Sequence, residues 1–269
     1  MKYGIVIPCY NEAKRLKFEE FQQFIDTDTN VHLCFVNDGS RDNTLELLYD
    51  FQKEQEERVS VYDMPKNCGK AEAVRSGINY LNTHHRFDNM GFMDADLSTS
   101  FEEYGNLVSQ LRSSAEHVQM VFGSRKGEES GEIDRSFFRK AMSSMVGGMI
   151  RLLLQLPIKD TQCGAKVFSS EAVQYCFNRP FVSRWLFDVE IFIRMKNRYS
   201  RKYVMHKLME IPLKKWVAVG DSKVTMQESM KIPAQLAKIA STYYLFPQWN
   251  GAVRAASFLF FSVLPFLKP

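Results

Sequence analysis

The sequence predicts an α/β fold, Rossmann-like, in which a mainly parallel sheet is flanked by helices. Three features of the first half carry that reading. Short apolar runs alternate with stretches of helical periodicity. The first run, residues 3–8, is continuously apolar, as in a strand covered from both sides. Acidic or turn-forming residues stand where the runs end, at the edge where ligands collect in such sheets.

Residues 3–8 form the first apolar run and residues 31–36 the second, which ends in Asn37-Asp38-Gly39-Ser40. A helix follows, with Ser40 or Asp42 as N-cap and Leu45, Leu48 and Tyr49 on one face. Residues 59–62 give a short third strand. Residues 70–81 place Ala71, Val74, Ile78 and Leu81 at helical spacing. Residues 89–93 form a fourth strand running into Asp94-Ala95-Asp96, and residues 120–123 a fifth. This alternation implies right-handed crossovers. Residues 136–156 carry Phe138, Ala141, Met142, Met145, Met149, Leu152, Leu153 and Leu156 in helical register, decorated by Arg135, Arg139, Lys140 and Arg151. Gly147 and Gly148 interrupt that helix, each costing about 1 kcal/mol relative to alanine, so a kink is expected there.

The chain has 269 residues, 45% hydrophobic and 25% charged, enough for one sizeable core. A net charge of +4 allows anionic partners such as phosphates or lipid headgroups and gives no reason to expect nucleic acid. Cys9, Cys34, Cys68, Cys163 and Cys176 are scattered and lack C-x-x-C spacing, so neither a zinc site nor a disulfide framework is indicated. A reducing, cytoplasmic setting follows. The apolar run at the start is broken by Pro8 and reads as a buried strand rather than a signal peptide. Residues 255–267 are rich in Phe and Leu and flanked by Arg254 and Lys268, but fall short of the roughly 20 apolar residues that span a bilayer. They read either as an interfacial segment or as a terminal helix docked on the core.

Asp94 and Asp96 are the most informative residues. Two carboxylates this close at a strand's carboxyl end repel unless a cation lies beside them. Their hard oxygens suit Mg²⁺ or Mn²⁺ together with substrate phosphates. A lone D-x-D is common, and a solvated turn is the competing reading. Asp38 can accept hydrogen bonds from a base or ribose, with Gly39 letting the backbone approach, or it can be a tight turn and no more. Asn67-Cys68-Gly69-Lys70 opens a helix whose amino end favours phosphate, with Lys70 and Arg75 as diphosphate neighbours, each alone reading equally as part of a solvated helix face. It is not a P-loop, because Met64 and Ala71 stand where that motif needs Gly and Ser or Thr. No G-x-G-x-x-G follows the first strand.

As a set these pieces resemble the family-two glycosyltransferases of GT-A fold. The set comprises Ile5-Val6-Ile7-Pro8-Cys9-Tyr10-Asn11-Glu12, the Asp38 turn, Gly69-Lys70 with Ala73-Val74-Arg75 and Gly77, and Asp94-Ala95-Asp96. Downstream, Gly123-Ser124-Arg125, Asp160-Thr161-Gln162-Cys163-Gly164-Ala165-Lys166-Val167-Phe168, Trp185 with Phe187-Asp188-Val189-Glu190, and Gly220-Asp221-Ser222-Lys223-Val224 look like the dolichyl- or polyprenyl-phosphate glucosyl- or mannosyltransferase branch. The resemblance covers roughly residues 1–240. It implies a nucleotide-sugar half over about 1–125, an acceptor half over about 126–240, and a C-terminal helical, membrane-associating segment at 241–269.

That resemblance implies an inverting, metal-dependent hexosyltransferase, with UDP-glucose the favoured donor and a polyprenyl or dolichyl phosphate the acceptor. It places the protein peripherally at the cytoplasmic face of a membrane. It assigns Pro8, Tyr10, Glu12, Asp38, Lys70 and Asp94 to the nucleotide, Asp94 and Asp96 to Mg²⁺ or Mn²⁺, and Arg125 to the acceptor phosphate. Ala165 departs from the aromatic residue often found there, which predicts an altered acceptor pocket.

Asp188 and Glu190 are the candidate bases. On a helix they stand about 200° apart, so at most one faces the site, and Asp188, nearer the helix start, is the choice, with a first-turn carboxylate that only stabilises its helix as the competing reading. An anionic phosphate acceptor needs positive charge more than a base. Arg135 and Arg139, four apart on the amphipathic segment, could grip it, with the Phe- and Met-rich face toward lipid or toward core. Lys159, Lys166, Lys214 and Lys215 read as surface charges. Three alternatives remain open: a family-two transferase acting on a glycan hydroxyl, a sugar-nucleotide binding protein without turnover, and a nucleotidyltransferase. Tyr10-Asn11-Glu12 stands where the last would carry a glycine-rich loop.

Overall fold

A computed structural model describes residues 2–114, 117–125, 137–217 and 231–245, with the backbone alone described for 137–145. Seven strands form one sheet: β1 (Tyr3–Cys9), β2 (Val31–Asn37), β3 (Val59–Asp63), β4 (Asn89–Phe92), β5 (Met120–Ser124), β6 (Lys166–Ser169) and β7 (Leu208–Pro212). Their spatial order is β3-β2-β1-β4-β6-β5-β7. All neighbours run parallel except β6, which is antiparallel to both β4 and β5. Eight α-helices are described: α1 (Phe18–Thr27), α2 (Thr44–Glu54), α3 (Lys70–His84), α4 (Phe101–Ser113), α5 (Phe137–Leu154), α6 (Ser170–Cys176), α7 (Phe187–Tyr203) and α8 (Ile232–Ala240).

Alternation along the strands splits the core into two layers. Tyr3, Ile5 and Ile7 of β1 join Phe35, Phe21, Leu48, Tyr104 and Leu107 on one face. Val6 joins Val36, Ile78, Leu81, Phe92, Phe187 and Phe192 on the other. Helix α3 lies so close to the sheet that a Cβ at Gly77 would come within 2.5 Å of Val6. Gly91 does the same for the pairing of β4 with β6, since a Cβ there would stand 2.1 Å from the Lys166 carbonyl oxygen.

The five strands predicted from the sequence are all present. Strands β6 and β7 were not predicted, and the reversal of β6 matters most for function. Because it runs against β4, its first residue, Lys166, pairs with Phe92 at the end of β4. The segment leading into β6 is thereby brought to the edge that carries Asp94. Helix α5 runs through Gly147 and Gly148 as a single element, without the expected kink. Its flanking residues Ile150 and Leu154 are buried in the core, and that packing offsets the poor helix propensity of the glycines. Among the described residues no helix is long and apolar enough to cross a membrane. Residues 246–269, read above as membrane-associating, lie outside the described residues, as do Arg135 and the Gly220-to-Val224 motif.

His32 makes the fold acid-sensitive. It is buried on β2, its Nε2 lies 2.8 Å from Ser60 Oγ, and its ring centroid is 4.4 Å from that of His85. Burial, then repulsion from His85, pulls its pKa down from 6.5 to about 4. The unfolded chain therefore takes up a proton that the folded chain refuses, so this stability is complete above pH 6.5 and is lost as pH falls toward 4. The loss attributable to His32 is about 3 kcal/mol. Urea denaturation across that window should show a flatter pH dependence in His32→Gln.

Candidate active site

The ends of β1, β2, β4 and β5 and the start of β6 meet at one edge. After β4, Met93 continues the ladder by donating to the Val6 carbonyl at 3.1 Å, which carries Asp94 and Asp96 just beyond the sheet. Leu97 closes the turn with φ 54°, a left-handed conformation uncommon outside glycine. Asp96 Oδ1 accepts from Ser98 N (3.0 Å) and Ser98 Oγ (2.8 Å), fixing that carboxylate. Asp94 lies against Gly164, where a Cβ would fall 2.1 Å from Asp94 Oδ2. Only glycine leaves room for the carboxylate there.

Each of the two acids faces a cation. Lys70, the first residue of α3, forms an ion pair with Asp94 Oδ1. Burial disfavours its charge, but Asp94, Asp188 and Asp96 around it more than compensate and raise its pKa. Arg15 Nη2 lies 3.3 Å from Asp96 Oδ2, and Arg15 Nε lies 3.6 Å from Glu12 Oε2. Arg15 was not read from the sequence. It sits six residues beyond β1, after the Asn11 residue of φ 50° and a turn in which Arg15 N donates to the Glu12 carbonyl at 2.8 Å.

The donor set suits a hard divalent cation. Both acids are carboxylates, their side chains are 35% and 23% exposed, and the absence of a side chain at Gly164 makes room for Asp94. Among the described residues no cluster of three or more His, Cys, Asp or Glu converges. An ion held by Asp94 and Asp96 would therefore complete its shell from substrate phosphates and water, as Mg²⁺ commonly does.

The β1 and β2 ends are stitched together. Pro8 pairs with Val36 across β1 and β2, and Tyr10 follows half-buried. Asn11 N donates to Ser40 Oγ (3.0 Å), Arg41 N to Asn11 Oδ1 (2.8 Å), and Glu12 N to Thr44 Oγ1 (2.8 Å). Asp38 is buried, and its carboxylate accepts from Cys68 N (2.6 Å), Gly69 N (2.8 Å) and Asn67 Nδ2 (3.0 Å). Burial still outweighs these bonds and raises its pKa. Asp38 thus anchors the loop before α3 rather than presenting bare oxygens.

The same bonds revise the expectation for the amino end of α3. Its Cys68 and Gly69 amides face Asp38, and Ala71 N donates to the Arg184 carbonyl at 3.2 Å. The side chain of Lys70, more than free helix-end amides, supplies positive charge there. Arg75 is taken up by Glu72 on its own helix, with Nε to Oε2 at 2.9 Å. Arg184, also missed, donates to the Cys68 carbonyl (3.0 Å) and lies on Gly69, whose φ of 93° places it where a Cβ would collide with that side chain.

Asp188 and Glu190 diverge as the helical spacing requires. Glu190 turns to Val182 N (2.9 Å), Ser183 N (2.8 Å) and Tyr243 OH (2.9 Å). Asp188 turns to the strand edge, its Oδ1 2.6 Å from Lys166 Nζ. Burial raises its pKa against the opposing pull of Lys166 and Lys70. Lys166 corrects the surface reading: its side chain is fully buried, because it begins β6, an interior strand between β4 and β5, and turns to Asp188 of α7. Lys159, Lys214 and Lys215 are exposed.

Arg125 follows β5 and grips Asp160 bidentately, with Nε to Oδ2 at 2.7 Å and Nη2 to Oδ1 at 2.9 Å. Although burial opposes it, this grip holds the Asp160 carboxyl down to about 2. The Arg125 guanidinium also stands 5.7 Å from the Trp216 ring centroid. Arg139 lies in α5, and its side chain is outside the described residues. Ala165 is enclosed in the core, so it does not line an open pocket.

A mainly parallel sheet, one reversed strand and acids gathered at the carboxyl edge define a GT-A fold. Residues 4–177 match the model of Glycosyl transferase family 2, and the chain belongs to that family. A dolichyl-phosphate beta-glucosyltransferase of Trichomonas vaginalis is 31% identical over 248 residues, 87% of this chain and 69% of that protein. The Homo sapiens dolichyl-phosphate beta-glucosyltransferase is 30% identical over 234 residues, 82% and 69% of the two chains. Among solved structures, glucosyl-3-phosphoglycerate synthase from Mycobacterium tuberculosis with Mn²⁺, uridine diphosphate and glucosyl-3-phosphoglycerate superposes with a TM-score of 0.62 at 18% identity. That alignment covers 89% of this chain and 80% of the other. At that identity the likeness speaks to the fold.

Proposed function

We propose that this transferase moves glucose from UDP-glucose to a dolichyl or polyprenyl phosphate, with inversion, at the cytoplasmic face of a membrane. The observation that carries the proposal is the Asp94/Asp96 pair beside Lys70, with Gly164 clearing space behind it. The acceptor and the sugar are supported by the printed names of the relatives, and the uridine nucleotide and metal by the neighbour's complex. A β-glucoside formed from an α-linked sugar nucleotide requires a single inverting displacement. The apolar residues 255–267 between Arg254 and Lys268 suit a protein working on a lipid substrate.

Asp94 and Asp96 would hold Mg²⁺ or Mn²⁺, which when bound neutralises charge on the departing diphosphate. Lys70 adds a second positive charge beside Asp94. Pro8, Tyr10, Glu12 and Asp38 bound the nucleotide, Asp38 by holding the loop of Asn67, Cys68 and Gly69 in place. Arg125, fixed by Asp160, is the described cation for the acceptor phosphate, and the sequence offers Arg135 and Arg139 as further candidates. The phosphate oxygen is already anionic, so Asp188 is not required to remove a proton. The test is incubation with UDP-glucose and Mn²⁺, with and without dolichyl phosphate. Metal-dependent UDP release coupled to a glucosylated lipid is the expected result, and release without lipid product refutes the acceptor.

The second reading, transfer to a glycan hydroxyl, draws on the position of Asp188 within electrostatic reach of Lys70 and Asp94. The two readings separate on Asp188→Asn. With a hydroxyl acceptor the variant loses general-base catalysis, about 10²–10⁴-fold in kcat. With a phosphate acceptor the loss is smaller than that range, and single-turnover kinetics with each acceptor measures it.

A further inference from the structure

Lys166 is fully buried, yet it forms an ion pair, with Asp188, at the start of β6. A buried ion pair is a poor source of stability, since apolar groups of equal volume usually serve as well. What the ammonium touches must account for it. Nζ donates to the Cys163 carbonyl oxygen (2.6 Å) and to Asp188 Oδ1 (2.6 Å), and it lies 5.5 Å from the centroid of the Phe92 ring. One group thus ties together the segment before β6, the first turn of α7 and the last residue of β4.

Both hydrogen bonds lead to Asp94. Cys163 precedes Gly164, whose backbone bounds the Asp94 carboxylate so closely that a Cβ would overlap it. Asp188 acts electrostatically on Lys70, and Lys70 pairs with Asp94. Lys166, Asp188, Lys70 and Asp94 therefore form a row of alternating charge from the buried sheet to the exposed edge. We propose that Lys166 is a positioning residue that sets the Asp94 carboxylate for the metal-bound donor by holding the Cys163–Gly164 backbone and the Asp188 side chain. The proposal rests on the reading of Asp94 and Asp96 given under Proposed function.

The test uses Lys166→Met, which removes charge and donor together, and Lys166→Gln, which keeps an N–H donor for the Cys163 carbonyl. UDP affinity is measured by calorimetry with Mn²⁺ and again with a chelator, on protein whose circular dichroism matches wild type. K166M should bind Mn²⁺–UDP about 10–100-fold more weakly, the range seen when partners of metal ligands are lost. Its metal-free UDP affinity should equal that of wild type, and K166Q should recover most of the loss. If K166M does not fold, K166M/D188N, which removes both charges, carries the same readout. The proposal is overturned if K166M or the double variant binds Mn²⁺–UDP as wild type does. Equal weakening with and without metal also overturns it, because a generally loosened site would behave that way. Wild-type UDP affinity unaffected by Mn²⁺ would remove the underlying reading along with it, whereas a metal-dependent wild type with an indifferent K166M removes this inference alone.

Discussion

Asp94→Asn and Asp96→Asn each lower glucosyl transfer by about 10²–10³-fold or more, the scale on which removal of one preorganised charge acts in a transition state. Asparagine keeps the shape of aspartate and one acceptor oxygen. In Asp96→Asn that oxygen can still accept from Ser98 N and Ser98 Oγ, so the turn after β4 survives. In Asp94→Asn the pair with Lys70 is lost, but both side chains are partly exposed, and such a pair is worth at most about 1 kcal/mol. The loss is therefore catalytic: the thermal midpoint stays close to wild type while the rate collapses. Steady-state rates beside a melting curve check this, and a near-wild-type rate in either variant contradicts the metal role.

Gly164→Ala should be nearly as damaging, although it adds one methyl group to a residue with no functional side chain. The new Cβ would fall 2.1 Å from Asp94 Oδ2 and 2.6 Å from its Cγ, so carboxylate and backbone must separate. A displacement of about 1 Å at a reacting centre costs on the order of 10²-fold in rate. Gly105→Ala in α4 is the control, because a Cβ there meets nothing within 4 Å. It should leave the rate unchanged and stabilise the helix by up to about 1 kcal/mol. Equal rates in the two alanine variants would show that Asp94 tolerates displacement.

Strands β1 to β5 were legible because each is a short, mainly apolar stretch ending in turn-forming or acidic residues, and the acids after β2 and β4 mark the ligand edge. Strand β6 was not legible. It has four residues and begins with a lysine, which by composition looks like a surface charge. One signal was present: Lys166 is enclosed by Ala165, Val167 and Phe168, an apolar setting that suits a buried ammonium with fixed partners. Its direction in the sheet, which brings Gly164 against Asp94, is a long-range fact that no local pattern carries. Asp38 was placed correctly at the end of β2, but its partners lie about thirty residues onward in the loop before α3, beyond the reach of spacing arguments. Helix α5 misled in the other direction, since glycine propensity argued for a kink that core packing overrides.

The claim beneath all of this is that Asp94 and Asp96 anchor a divalent cation against the donor's diphosphate. Anomalous diffraction from crystals grown with Mn²⁺ and UDP tests it most directly. The account predicts a single manganese peak held by Asp94 and Asp96 beside the nucleotide phosphates. UDP seated at this edge with no metal peak, or a peak ligated by other residues, would contradict it.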